Sequence, residues 1–185
     1  MYTAPVVYDA KAFANANFDI RSDFDRYWND LPWTERGAPR REAFVATKPV
    51  DYTYGKSEYA RTYSSSPIPE FMKEFWALAE EFSNAKFELC FCNGYIDEKN
   101  HLGWHADDSD SVDDVRPILV VSIGAEREIW FRDKARTFVD KLKLGNGSGL
   151  LMMAGMQDTH EHRIPKHSAK CGPRISFTFR GLVEA

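Results

Sequence analysis

His105-Ala106-Asp107 sets an imidazole and a carboxylate two residues apart. In an extended segment alternate side chains share a face, so both groups can reach one metal ion. The spacing alone is a weak signal in a chain rich in aspartate, and it needs a third ligand from elsewhere. His160, His162 and His167 are the candidates. His160 and His162 fall on the same face of a strand, so geometry leaves both open. Two histidines and one carboxylate on one face of an octahedron form the ligand set of non-haem Fe(II) oxygenases, with three positions left for cosubstrate and oxygen. Zinc hydrolases also use two histidines and an acid. His101 and His167, each taken alone, read as ordinary hydrogen-bonded residues.

A pair of arginines separates the two metals. Arg174 and Arg180 bracket an alternating run, Arg-Ile-Ser-Phe-Thr-Phe-Arg, and at this spacing they project to one side of a strand. Two inward arginines are costly unless anions meet them, and a bidentate carboxylate partner offsets the cost. A hydrolytic zinc site has no use for such a pair. An oxygenase that consumes 2-oxoglutarate must hold a diacid charged at both ends, so the pair favours iron.

The elements that position these groups follow from composition and periodicity. With 185 residues the chain is long enough for a single domain, 1–185, with a sizeable core. Its 43% hydrophobic and 14% aromatic content suits a thick sheet core or a groove for planar ligands. A formal net charge of −4 argues against a general coater of duplex DNA. Three cysteines, an odd number, do not make a disulfide framework and suggest a reducing compartment, and with no Cys-x-x-Cys a structural zinc site is not expected. No signal peptide or apolar membrane span is read, so a soluble, cytoplasmic monomer is expected.

Residues 1–20 read as irregular. Ser22 to Leu31 reads as a helix with Ser22 as N-cap, ended by Pro32. Pro69 to Phe82 is the clearest helix, with Phe71, Phe75, Leu78 and Phe82 as a core stripe. Beyond it the period shortens. Strands are expected at 87–93, 117–123, 128–132, 138–144, 150–153 and 175–180. Helices packed on a run of antiparallel strands predict an α+β fold, a double-stranded β-helix (jelly-roll) core flanked by N-terminal helices. Residues 1–69 form an extension and substrate lid in this reading, and 70–185 the helix plus catalytic core.

The 34–69 region mixes Arg36, Arg40, Arg41 and Lys48 with Phe44, Tyr52, Tyr54, Tyr59 and Tyr63. It reads either as tyrosines folded over the core or as a lid whose basic and aromatic groups meet phosphates and bases. Short strands are expected at 43–47 and 52–54. Residues 162–180 carry five basic residues and no acid, whereas Asp107, Asp108, Asp110, Asp113 and Asp114 form an acidic run that reads as a solvated loop.

Taken together, Asn93-Gly94-Tyr95, His105-Ala106-Asp107, His162-Arg163-Ile164-Pro165-Lys166 and Arg174-Ile175-Ser176-Phe177-Thr178-Phe179-Arg180 resemble the AlkB-like 2-oxoglutarate- and Fe(II)-dependent dioxygenases, over roughly Tyr54 to Arg180. The resemblance selects His162 as third ligand beside His105 and Asp107. It implies that Asn93, Tyr95 and Arg174 hold the distal carboxylate of 2-oxoglutarate. Arg180 would hold the carboxylate nearer the metal, with Ser176 and Thr178 assisting. Fe(II), 2-oxoglutarate and O2 are the implied cofactor and cosubstrates. The implied reaction is demethylation of bases such as 1-methyladenine or 3-methylcytosine in DNA or RNA, releasing formaldehyde, succinate and CO2. A base reaches such a pocket from a single strand or by flipping out. Phe44, Tyr52, Tyr54, Arg40, Arg41 and Ser109 are the substrate-side candidates. Ser176 stands where the family usually has Asn, and Ser109 where repair members often carry an acid. The same oxygenase chemistry on a protein side chain or small molecule is the alternative.

Overall fold

A computed structural model describes residues 4–34, 40–54 and 61–183. Arg36, Gly55, Tyr59 and the side chain of Tyr54 lie outside the described residues. The strands, in chain order, are β1 (Val6–Asp9), β2 (Arg41–Ala46), β3 (Asp51–Tyr54), β4 (Arg61–Ser64), β5 (Ser66–Pro67), β6 (Leu89–Tyr95) and β7 (Leu102–His105). They continue with β8 (Ile118–Gly124), β9 (Arg127–Asp133), β10 (Val139–Leu144), β11 (Ser148–Met152), β12 (His160–Ile164) and β13 (Arg174–Arg180). The helices are α1 (Phe24–Asp30), α2 (Lys73–Ser83) and the short α3 (Met156–Thr159). None is long and apolar enough to cross a membrane.

Seven strands form the large sheet in the order β1-β11-β8-β13-β6-β2-β5, four form a small sheet in the order β10-β9-β12-β7, and β3-β4 is a separate hairpin. Pairing is antiparallel except between β2 and β5. This is the expected jelly-roll class. The near-continuous apolar runs of β6 and β8 flank β13 in the middle of the large sheet, where both faces are covered.

Two cores result. One lies between the sheets, where Phe91, Val120 and Leu150 of the large sheet join Ile129, Phe131, Leu142 and Ile164 of the small one. The other lies on the outer face of the large sheet, where Phe177, Phe179, Cys90 and Val121 meet Tyr27 of α1 and Phe75, Trp76 and Ala79 of α2. Phe75 and Tyr27 pack edge-on against Phe177, each with ring centroids 5.0 Å apart. Each fully buried ring of this kind contributes about 1.5–3 kcal/mol.

Several elements differ from the sequence reading. Residues 1–20 are not wholly irregular, because β1 pairs with β11 and extends the large sheet. Its partner is distant in sequence, so no local signal marks it. The first helix starts with a 3-10 turn at Ile20–Asp23, capped by Asp19 rather than Ser22. On α2 the deepest residues are Phe75, Trp76, Ala79 and Ser83, while Leu78 and Phe82, and Phe71 on the 3-10 turn Glu70–Met72 before it, are only partly buried. The helix is rolled so that Trp76 reaches Phe179, 5.1 Å away between ring centroids. The turn from β8 to β9 uses Gly124 at φ +89°, where any Cβ would collide with the Pro173 carbonyl.

Candidate active site

β13 supplies the floor. Its register places Arg174 opposite Tyr95, Ser176 opposite Asn93, Thr178 opposite Phe91 and Arg180 opposite Leu89 of β6. Since Ile175, Phe177 and Phe179 point to the helices, these even-numbered residues point to the space between the sheets.

The wall comes from the small sheet. His162 of β12 and His105 of β7 are register partners, and their ring centroids lie 4.1 Å apart. Asp107 follows just past the end of β7. One ligand atom from each of His105, Asp107 and His162 falls within 4.8 Å of the others. His105 Nε2 lies 3.8 Å from Asp107 Oδ1, and His162 Nε2 lies 3.9 Å from Asp107 Oδ2. His105 Nδ1 donates to the Gly103 carbonyl at 2.8 Å, which fixes the tautomer with the lone pair on Nε2. His160 sits two residues along on β12, at 2.7 Å from the Thr159 hydroxyl and against the Phe138 ring. His167 bonds its own loop at Ala169. Neither joins the cluster.

Electrostatics set the charge state. Burial alone would raise the Asp107 carboxyl, but Arg180, His162 and His105 together hold it at about 2. Arg180 Nη2 lies 2.8 Å from Asp107 Oδ1. Burial pushes His162 down to about 3, with His105 adding to the effect, and burial likewise lowers His105. Near neutral pH the cluster therefore presents one carboxylate and two neutral imidazoles, the donor set that a divalent iron accepts.

Arg174 is fully buried. Its Nε donates to Ser122 Oγ at 2.8 Å and its Cζ lies 5.1 Å from the Tyr95 ring centre. Both terminal nitrogens lack a hydrogen-bond partner among the described residues. Burial pushes its guanidinium down to about 10. A buried cation with two orphaned NH2 groups is a cradle for a carboxylate, so the residues present fit 2-oxoglutarate as well as a metal.

Arg40, Phe91, Asn93, Leu102, His105, Asp107 and Arg180 line one pocket. Arg40 enters it through Nε, 2.5 Å from Asn93 Oδ1, while Nη2 is 2.7 Å from Glu42 Oε1. Arg41 goes to the opposite face of the large sheet, over Trp28 and Trp33 at 5.1 and 4.9 Å. Phe44 and Tyr52 are core residues, with ring centroids 5.6 Å apart and almost no exposure. Ser109 Oγ lies 2.9 Å from the Thr53 carbonyl and 3.2 Å from Tyr52 Oη. A carbonyl can only accept, so the Ser109 proton goes to Thr53 and Tyr52 donates back. Ser109 thus ties the Asp107 loop to the β3–β4 hairpin.

Two residues escaped the sequence reading. Gln157 of α3 accepts from the Asp107 backbone N–H at 2.9 Å and so fixes the carboxylate's backbone. Arg127 is buried, donates to the carbonyls of Asp97, Asn100 and Pro165, and lies 5.4 Å from the Tyr95 ring centre. Both act through backbone groups, which leave no motif.

The sequence model of the 2OG-Fe(II) oxygenase superfamily matches residues 21–180. The alpha-ketoglutarate-dependent dioxygenase alkB homolog 3 of Mus musculus is 32% identical over 166 residues, covering 82% of this chain and 57% of that protein. The DNA oxidative demethylase ALKBH2 of Homo sapiens is 30% identical over 154 residues, covering 78% of this chain and 57% of that protein. The chain thus spans a little over half the length of these relatives. The solved structure of OsALKBH1 shares the fold with a TM-score of 0.70 at 15% identity, over 97% of this chain and 99% of that one.

Proposed function

The chain belongs to the 2OG-Fe(II) oxygenase superfamily, in its AlkB-like branch, and from that premise we propose that it oxidatively demethylates N-alkylated bases in DNA or RNA. The observation that carries the reading is the His105–Asp107–His162 cluster, with Asp107 paired to Arg180 of β13 and the buried, orphaned Arg174 at the other end of that strand. The relatives named for nucleic-acid demethylation supply the substrate class.

In this reading His105, Asp107 and His162 hold Fe(II). Arg174, with Tyr95 and Asn93, holds one carboxylate of 2-oxoglutarate, and Arg180 holds the other, with Ser176 and Thr178 between them. The bound iron and 2-oxoglutarate supply the oxidation of an N-methyl carbon, which leaves as formaldehyde with succinate and CO2 as coproducts. The chain's own work is binding, orientation and exclusion of water. The ionised Asp107 and the neutral imidazoles need no proton loss at neutral pH to bind a cation. Arg40 positions Asn93 and borders the place a base would enter. Ser109 and Tyr52 keep the hairpin closed on the Asp107 loop. Such a pocket accepts a base from a single strand or one flipped out of a duplex.

The test is incubation with single-stranded oligonucleotides carrying 1-methyladenine, 3-methylcytosine or related lesions, with iron and 2-oxoglutarate. Formaldehyde release and a mass loss of one methylene are expected. Neither product across the lesion panel would sink the proposal. The exposed Asp108 and Asp110 beside the site favour a second reading, oxidation of a peptide or metabolite. Succinate release stimulated by such pools, and not by oligonucleotides, selects it.

A further inference from the structure

The small sheet turns one face to the site and the other outward. On the outward face Lys141, Trp130 and Arg163 are register neighbours across β10, β9 and β12. Lys141 Nζ lies 4.1 Å from the Trp130 ring centre, and Arg163 Cζ lies 4.1 Å from the same centre and 4.8 Å from that of Trp104 on β7. Arg132 closes the series, 4.2 Å from Trp104. Cation and ring thus alternate across all four strands.

A covering role for the sheet explains the rings but not the charges. Arg132 is paired with Glu161. Arg163, its neighbour, has no carboxylate partner among the described residues, and its buried Nε has no hydrogen-bond partner there either. A groove of about 570 Å³ opens beside the row, lined among others by Trp130, Arg163, Lys166, His167 and Glu128, whose carboxylate accepts from Trp130 Nε1 at 2.8 Å. Leu102 lines this groove and also the pocket of His105 and Asp107. The groove and the pocket therefore meet at Leu102 of β7, the edge strand of the small sheet.

We propose that the Lys141–Trp130–Arg163–Trp104 row and its groove form a docking surface for single-stranded nucleic acid. The target base enters the pocket, and the neighbouring nucleotides cross the β7 edge onto the outer face. Lysine and arginine meet phosphates there, and the indoles, each with two of these cations over its ring, hold the charges in a row. This rests on the nucleobase reading above and extends it to the strand that flanks the base.

The experiment is fluorescence anisotropy with the full chain and an unmodified labelled single strand of about fifteen nucleotides. It is run for the wild type, for Arg163→Gln combined with Lys141→Gln, and for Trp130→Leu as an independent aromatic probe. Loss of two phosphate contacts should weaken binding roughly tenfold and reduce the salt slope by about 1.4. Turnover of a methylated mononucleotide, which has no neighbouring nucleotide to lie on the row, should be unchanged in the charge variants, which also reports that they fold. Unchanged affinity and salt slope in these variants overturns the docking surface. So does equal competition by an acidic peptide of matched charge, which assigns the row to anions in general. Binding that depends on the row in a protein unable to demethylate any lesion refutes the nucleobase reading instead and leaves the docking surface standing.

Discussion

On β13 the odd-numbered side chains Ile175, Phe177 and Phe179 end against the rings of α1 and α2, while the even-numbered Arg174, Ser176, Thr178 and Arg180 face the space between the sheets, where Arg180 lines the pocket of His105 and Asp107. The two faces share one backbone and one register, so the difference between them is purely one of side-chain chemistry. The odd face gains free energy from burial and needs nothing from outside the chain. The even face buries two guanidiniums: Arg180 is paired with Asp107, whereas burial disfavours the charged form of Arg174, whose terminal nitrogens have no hydrogen-bond partner among the described residues. Folding does not reward such a group unless an anion arrives. A strand with one face satisfied and the other in deficit marks the binding side of the sheet.

The sharpest way to break the comparison is to remove a member of the His105–Asp107–His162 cluster on the cavity side. His162→Ala should abolish turnover, because losing a direct ligand exceeds the ~10–100-fold loss typical of residues that merely support ligands. The folded protein should survive, with its thermal transition intact but no longer raised by Mn(II) as an iron substitute. A variant that keeps both the metal-induced rise and the turnover would remove His162 from the site.

The two faces of β13 should then respond in opposite ways. Phe177→Ala empties a site packed by Tyr27 and Phe75 and should cost about 3–5 kcal/mol in urea denaturation. Arg174→Met should leave the apo protein as stable as before, or up to about 1–4 kcal/mol more stable, since the uncompensated charge is gone. The wild type should gain about 2.7 kcal/mol from 2-oxoglutarate at a hundredfold excess over its dissociation constant. That gain should vanish in Arg174→Met. A large stability loss without ligand would show instead that Arg174 is structural.

Acid sharpens the contrast further. His105 and His162 are held below the ordinary histidine range in the folded chain, His162 at about 3. The unfolded chain therefore binds more protons as pH falls below about 6.5, and stability must fall with it. Asp107 contributes stability that is lost only as pH falls from about 4 toward 2, so it is silent at milder acidity. Between pH 7.5 and 5.5 the apo protein should lose about 1–3 kcal/mol, on the scale of 1.4 kcal/mol per displaced proton and pH unit. Urea titrations of the wild type and of His105→Phe at both pH values test this, and an equal slope in the two proteins would count against it.

What could be read from the sequence follows the same division. The alternation of β13 was legible because a period of two with apolar and polar sets is unambiguous. The cluster of His105, Asp107 and His162 was legible as a motif, although only resemblance chose His162 over His160. The structure adds the reason for their approach, since β7 and β12 pair in register. Gln157 and Arg127 were not legible, because each acts on backbone groups. β1 was missed because its partner, β11, lies near the other end of the chain. The roll of α2 toward Trp76 and Ala79 depends on the ring of Phe179, which no local pattern contains.

The smallest effect separates two adjacent arginines. Arg40 reaches Asn93 and Glu42 on the cavity side, and Arg41 lies over Trp28 and Trp33 on the helix side. Sequence alone cannot divide them, since both are basic residues in an aromatic-rich stretch. Their alternation at the start of β2, Arg40 just before the strand and Arg41 its first residue, does. Arg41→Gln removes two cation–π contacts worth about 0.5–1 kcal/mol each and the Nη1 bond to the Trp28 carbonyl. It should cost about 1–2 kcal/mol of stability and leave the KM for 2-oxoglutarate and the affinity for oligonucleotides unchanged. Arg40→Gln frees Asn93 and leaves the buried Glu42 with only the Tyr63 hydroxyl among the described residues, so it should raise that KM as well as destabilise. If Arg41→Gln changed the KM as much as Arg40→Gln, the helix side would have to communicate with the cavity through the strand, and the two faces would not be independent.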